Sequence, residues 1–223
     1  MATMLQIQKA LKVHGYDPGP ADGLKGRRTT DAIKAFQRDK SLMVDGFAGP
    51  NTVAALGIKV SSVKLVKGTG KGIKNIVVHC TATREGMDVD AATIRGWHLS
   101  QGWSDIGYHF IARLSGEFEI GRSESVPGSH VKGFNTGSIG VVYVGGLDAQ
   151  GNPKDTRTLE QKASMIRLLT ELTQAYPGAV VKGHRDFSPD KNRNGIIEPH
   201  EWLKACPCFD VASWWKRNKP ATA

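Results

Sequence analysis

Near the N-terminus, apolar positions recur at helical spacing: Leu5 and Leu11 flank Gln8, and Ile33 precedes Phe36 by one turn. Two related segments accompany them. Asp22-Gly23, Gly26, Thr29 and Ala32-Ile33 recur 23 positions later as Asp45-Gly46, Gly49, Thr52 and Ala55-Leu56. Each copy reads as a Gly-rich turn entering a helix. The pattern predicts a small three-helix domain over residues 1–57, compact but only modestly stable at that size. From Ile73 the pattern changes. Ile76-Val77-Val78 is a short apolar run that ends in His79 and predicts a buried strand. Asp90 is placed to cap a helix carrying Ile94, Trp97 and His98 on one face. Strands are predicted over 108–112 and 117–120, with a turn at Ser115-Gly116, and again over 139–144. Thr158 and Gln161 form a capping box before a helix whose face is Met165, Ile166, Leu169 and Leu172. Val180-Val181 predicts a strand leading to His184, and Trp214-Trp215 fall in a last short helix. Strands alternating with long helices predict an α/β domain over 73–223, a mixed central sheet flanked by helices.

Residues 58–72 join the two parts and read as a flexible linker, with Ser61-Ser62 and three glycines around lysines. Charge sharpens this division. The chain carries a formal net charge of +9, yet residues 1–57 contribute +3 and residues 73–223 only +2. The remaining +4 sits on Lys59, Lys64, Lys67 and Lys71. A nucleic-acid reader concentrates its charge on a folded recognition element, so no nucleic-acid partner is expected. Anionic wall polymers suit a basic linker as well. No apolar run approaches the roughly 18 residues needed to cross a bilayer. The first ten residues lack a signal-peptide core, so synthesis in the cytoplasm without a signal peptide is expected. The three cysteines, Cys80, Cys206 and Cys208, do not describe a disulfide framework.

Candidate metal ligands stand at strand ends. His79 closes one predicted strand, His184 follows another, and Cys206 lies in Lys204-Ala205-Cys206-Pro207. Two His and one Cys leave a fourth position for water, the pattern of a catalytic zinc. Each residue also has a plainer reading: a hydrogen-bonded structural histidine, or a cysteine that simply packs.

Two resemblances bear on that choice. Residues 1–57 resemble the peptidoglycan-binding domain family through Leu5-Gln6, Gly15-Tyr16, Asp22-Gly23, Phe36-Gln37 and Asp45-Gly46 with Gly49-Pro50-Asn51-Thr52. Residues 73–217 resemble type-2 N-acetylmuramoyl-L-alanine amidases of the phage endolysin kind, which share a fold with peptidoglycan recognition proteins. The matching segments run from Val77 to Thr83, then Gly102-Trp103, Gly107-Tyr108-His109-Phe110, Gly128-Ser129-His130, Asn135, Ser138-Ile139-Gly140 and Lys204 to Pro207.

The resemblance implies zinc held by His79, His184 and Cys206, with hydrolysis of the amide between N-acetylmuramic acid and L-alanine. It implies catalytic roles for Lys204, a charge near the developing oxyanion, and for Tyr108, a proton donor or relay. It places His130 and Asn135 along a glycan-peptide groove. Cys208 is a minor rival to Cys206. His98 reads as a packed helix residue, and alternation turns His109 away from Tyr108. The expected partner is bacterial peptidoglycan, met by a monomer without membrane insertion after release through a separate membrane pore. A non-catalytic recognition protein on the same fold is the alternative. Such members typically lack the Cys ligand. Finally, Asp190 to Glu201 matches a calcium loop: Asp190, Asn192 and Asn194 at positions 1, 3 and 5, Gly195 at 6, the Ile196 carbonyl at 7 and Glu201 at 12. Calcium is therefore expected as a second ion.

Overall fold

The computed structural model describes residues 2, 4–58, 66–68 and 72–220. It divides into two compact units, Met1–Lys64 and Leu65–Ala223.

The first unit holds three helices: α1 (Met4–Val13), α2 (Arg27–Asp39) and α3 (Pro50–Ala55). Ile7, Leu11, Ala32, Ile33, Phe36 and Leu56 form its core. The buried side of α1 is thus set by Ile7 and Leu11, four residues apart, while Leu5 is 37% exposed. The repeated Asp-Gly turns are held by two buried glutamines. Gln8 donates to the Asp22 carboxylate and the Leu24 carbonyl and accepts from the Gly23 amide. Gln37 does the same one repeat later, donating to Asp45 and the Phe47 carbonyl and accepting from the Gly46 amide. The left-handed φ of +81° at Gly23 and +73° at Gly46 is what lets each turn present its amide to the clamp. These glycines and aspartates therefore build turns.

In the second unit, β1 (Asn75–Cys80), β3 (Phe110–Ala112), β4 (Phe118–Ile120), β5 (Ser138–Tyr143) and β7 (Val180–Gly183) form one sheet in the order β4-β3-β5-β1-β7. All neighbours are parallel except the β3–β4 hairpin. A two-stranded sheet pairs β2 (Thr83–Arg84) with β6 (Gly146–Leu147). The helices are α4 (Ala91–Ser100), α5 (Leu159–Ala175) and α6 (Val211–Asn218). Asp90 caps α4 by accepting from the Thr93 amide, and Thr158 with Gln161 closes the capping box of α5.

Strand alternation sorts the core into two layers. Ile76, Val78 and Cys80 of β1 and Ile139, Val141 and Tyr143 of β5 pack with Met165, Leu168, Leu169 and Leu172 of α5. On the other face Val142 of β5 and Ile111 of β3 meet Ile94 of α4. The segment expected to be a free linker is anchored at Val66, only 1% exposed in the larger core, and the Lys67 and Gly68 amides donate to the Glu124 carboxylate. Lys59, Lys64 and Lys71 of that segment lie outside the described residues.

Candidate metal centre

The register of β1 and β7 brings the first two candidate ligands together. The strands run parallel with Val78 opposite Gly183, so the next residues, His79 and His184, come side by side at the carboxyl ends. Their rings lie 4.8 Å apart. Crevices at such strand ends are where open α/β sheets bind ligands. The third ligand comes from the chain before α6. Gly183 has no side chain, and a Cβ there would lie 2.8 Å from Pro207 Cδ. That gap lets Cys206-Pro207 close onto the end of β7. The Arg185 amide donates to the Cys206 carbonyl at 2.8 Å, and the Tyr143 hydroxyl to the Pro207 carbonyl at 2.7 Å.

One donor atom from each of His79, His184 and Cys206 falls within 4.8 Å of the others. His79 Nδ1 and Cys206 Sγ are 3.8 Å apart. Zn–N bonds of about 2.0–2.1 Å and a Zn–S bond of about 2.3 Å give a tetrahedral edge of about 3.6 Å, so the donor set fits zinc.

The surroundings keep these groups ready to ligate. Burial, reinforced by His130, His184 and Lys204, holds His79 well below the usual histidine range. Burial, then the Lys204 ammonium, lowers His184 to about 4. Both imidazoles are therefore neutral near pH 7, with a lone pair free for a metal. Tyr108 lies with its ring 5.1 Å from that of His79. Burial pushes its hydroxyl up, which keeps the proton on it. Lys204 is exposed at the rim.

A model of the N-acetylmuramoyl-L-alanine amidase family matches residues 69–201, and a peptidoglycan binding domain model matches residues 2–56. The chain belongs to the N-acetylmuramoyl-L-alanine amidase family. The endolysin of Klebsiella phage KP32 is 46% identical over 148 residues, 66% of this chain and 89% of that one. The endolysin of Escherichia phage T7 is 42% identical with the same coverage. Among solved structures, the amidase LysC of Clostridium intestinale superposes with a TM-score of 0.51 at 24% identity, covering 73% of this chain and 96% of that one. Bumblebee peptidoglycan recognition protein SA gives 0.51 at 20% identity, covering 69% and 87%. Both show a shared fold.

Of the other candidate residues, His130 and Asn135 sit differently from expectation, while Cys208, His109 and His98 do not. His130, expected along an open groove, is 8% exposed and turned inward, its Nδ1 3.0 Å from His79 Nε2. Asn135, expected beside it, spends its side-chain oxygen on the His130 and Val131 amides, each at 2.8 Å. It orders the loop. Cys208 Sγ points away from the histidines, towards Cys80 Sγ at 3.9 Å and the Gly146 carbonyl at 3.2 Å. His109 accepts from the Gly140 amide through Nδ1, and His98 does so from the Gly107 amide while stacking on Trp103.

The loop expected to take calcium closes on itself. Glu201 is 0% exposed, and its carboxylate accepts from the Lys191, Asn192 and Glu198 amides. Asp190 accepts from the Asn194 and Gly195 amides, and Asn192 and Asn194 donate to Glu198. Glu198, His200 and Glu201 do place donor atoms within 4.8 Å of one another. The oxygens at positions 1 and 12 nevertheless already hold the loop's own amides, so this geometry lends calcium no support.

The His79–His130 contact is the feature of the site that spacing alone misses. The only sequence signal for it is the pair of glycines, Gly128 and Gly140, that flank His130 in the fold.

Proposed function

We propose that the chain is a zinc-dependent endolysin that hydrolyses the amide between N-acetylmuramic acid and L-alanine in bacterial peptidoglycan. The observation that carries this reading is the convergence of His79, His184 and Cys206 at adjacent strand ends, beside Tyr108 and Lys204. Zinc bound there supplies Lewis acidity, activating water and polarising the scissile carbonyl. The protein's own groups do the rest. The three ligands come from a strand end, a following turn and the Cys-Pro segment, so the packing around Gly183 sets their spacing before substrate arrives. Lys204 brings a cation to the side where the amide oxygen gains charge, worth most when substrate excludes water. Tyr108 keeps its proton at neutral pH and serves as the donor to the oxyanion or the leaving nitrogen. Cys206 also weighs against a purely recognising protein, because binding alone does not need a cysteine sulfur beside two neutral imidazoles.

The N-terminal unit, over residues 1–57, is assigned to holding the wall while the catalytic unit cuts. The family match over 2–56 and the phage endolysin relatives support this division and an action on the cell wall. Among the described residues no helix is long and apolar enough to cross a membrane. The deciding experiment is digestion of purified peptidoglycan with mass analysis of the products. Free stem peptides beginning with L-alanine are expected. Cleavage only between sugars, or within the peptide, overturns the assignment.

A further inference from the structure

We infer that His130 is a positioning residue for the metal centre: it accepts a hydrogen bond from His79 Nε2–H and so fixes the tautomer that aims His79 Nδ1 at the metal. The inference rests on the zinc reading above and concerns how this chain builds the site.

Three observations carry it. His79 Nε2 and His130 Nδ1 are 3.0 Å apart, in a buried pair. The other nitrogen of His79, Nδ1, faces Cys206 Sγ at 3.8 Å. A neutral imidazole has one N–H and one lone pair. If Nδ1 offers its lone pair to a metal, Nε2 carries the hydrogen, and His130 Nδ1 has to accept it. His130 must then carry its own hydrogen on Nε2.

That atom is the second observation. His130 Nε2 is buried and makes no well-formed hydrogen bond among the described residues; the Ser138 backbone is a polar group that acts on the ring from outside the histidine cluster. A buried donor held in poor hydrogen-bond geometry is costly, and folds rarely keep one without a use. Here the use is on the opposite side of the same ring. Neighbouring His109 offers no relief, since its Nδ1 accepts from the Gly140 amide and its Nε2 faces the Val126 carbonyl at 3.1 Å.

The third observation is the room made for the ring. A Cβ on Gly140 would lie 2.6 Å from His130 Cδ2 and 2.8 Å from Cγ, and a Cβ on Gly128 would also strike Cδ2. Two backbone segments thus give up side chains where the His130 ring lies. The backbone of His130 is fixed in turn by Asn135, which takes the His130 and Val131 amides. The chain of support runs from Asn135 through the loop backbone to the His130 ring and on to His79. Partners of this kind orient a ligating histidine and raise its basicity, and their loss typically weakens metal binding about 10–100-fold.

The test compares two replacements of equal polarity. In His130→Asn the side-chain oxygen falls near the Nδ1 position and retains the acceptor. In His130→Gln the oxygen falls near the Nε2 position and the acceptor is lost. Zinc affinity of the full chain, measured by competition with a chromophoric chelator, should fall about 10–100-fold for His130→Gln and stay within a few-fold of the parent for His130→Asn. A role in packing alone would not separate the two, and equal affinities would refute the inference. Long-range ¹H–¹⁵N correlation of the zinc-loaded parent protein is the second measurement, independent of any variant's folding. His79 should show a protonated Nε2 and a metal-bound Nδ1; a protonated Nδ1 overturns the proposal. Failure of the parent to bind zinc at all would instead refute the zinc reading, so the two failures are distinguishable.

Discussion

Gly183→Ala tests whether close packing, and not ligand identity alone, assembles the metal centre. The added Cβ would sit 2.8 Å from Pro207 Cδ and 3.2 Å from Val211 Cγ2. Carbon atoms in contact prefer about 3.5–4.0 Å, so the Cys-Pro segment must retreat by about 0.7 Å. Overpacking of this kind costs about 1–3 kcal/mol. For a unit of this size each kcal/mol lowers the melting temperature by about 2–4 °C, which gives a fall of about 2–12 °C. The effect on metal is separate. Cys206 precedes Pro207, and metal sites tolerate ligand displacements of only about 0.2 Å. Zinc affinity should therefore drop by roughly ten-fold or more although all three ligands remain. The assays are thermal melting of metal-free protein and chelator competition. Gly96→Ala is the control, since nothing lies within 4 Å of a Cβ at that position in α4. It should gain about 0.5–1 kcal/mol from helix propensity. Parent-like melting and parent-like zinc affinity in Gly183→Ala would refute the account of how Cys206 reaches the histidines.

Replacing His79, His184 or Cys206 with Ala should abolish both stoichiometric zinc and lysis, whereas Cys208→Ser should keep both, because its sulfur faces Cys80; metal analysis alongside a turbidity assay separates the cases. Metal-free protein should lose stability as pH falls from about 6.5 towards 4. The folded pKa values of His184 and His130, about 4 and about 3, lie below the unfolded value of about 6.5, so the unfolded chain takes up protons first. Melting temperatures that stay flat between pH 7 and pH 5 would contradict this. Removing residues 1–60 should leave a folded catalytic unit that digests soluble fragments but sediments less with intact sacculi, and equal sedimentation with and without them would count against a wall-holding role.

Much of the architecture is legible because burial imposes a period. The run Ile76-Val77-Val78 is buried on both sides and reads as continuous apolar sequence, and the capping box at Thr158 and Gln161 marks the start of α5 because its two reciprocal bonds need those residue types three apart. The first helix shows the limit of the same logic. Leu5 and Leu11 share a helical spacing with Gln8, but only a view of the opposing helix reveals that Ile7 takes the buried place. The role of Gln8 is hidden for a related reason. The Asp-Gly turns repeat at one interval, while the glutamines that clamp them, Gln8 and Gln37, repeat at another, so the clamp has no sequence period.

The metal centre divides along the same line. His79 and His184 can be recognised as strand-end histidines, yet their meeting depends on the β1–β7 register, and hydrogen bonding between strands leaves no mark in the spacing of residues far apart in the chain. Cys206 reaches them because Gly183 lacks a side chain, a fact about absent volume that a sequence shows only as one more glycine. His130 is harder still. The resemblance places His130, a polar residue after Gly-Ser, along a substrate groove. Polarity, however, does not tell which way a ring turns. What turns this one inward is the space left by Gly128 and Gly140 and the pinning of its backbone by Asn135. The resemblance places His130 and Asn135 along a groove; in space, Asn135 and the two glycines hold the His130 ring against His79. The buried ring and its 3.0 Å contact with His79 Nε2 distinguish the two, since a groove residue would turn its ring outward.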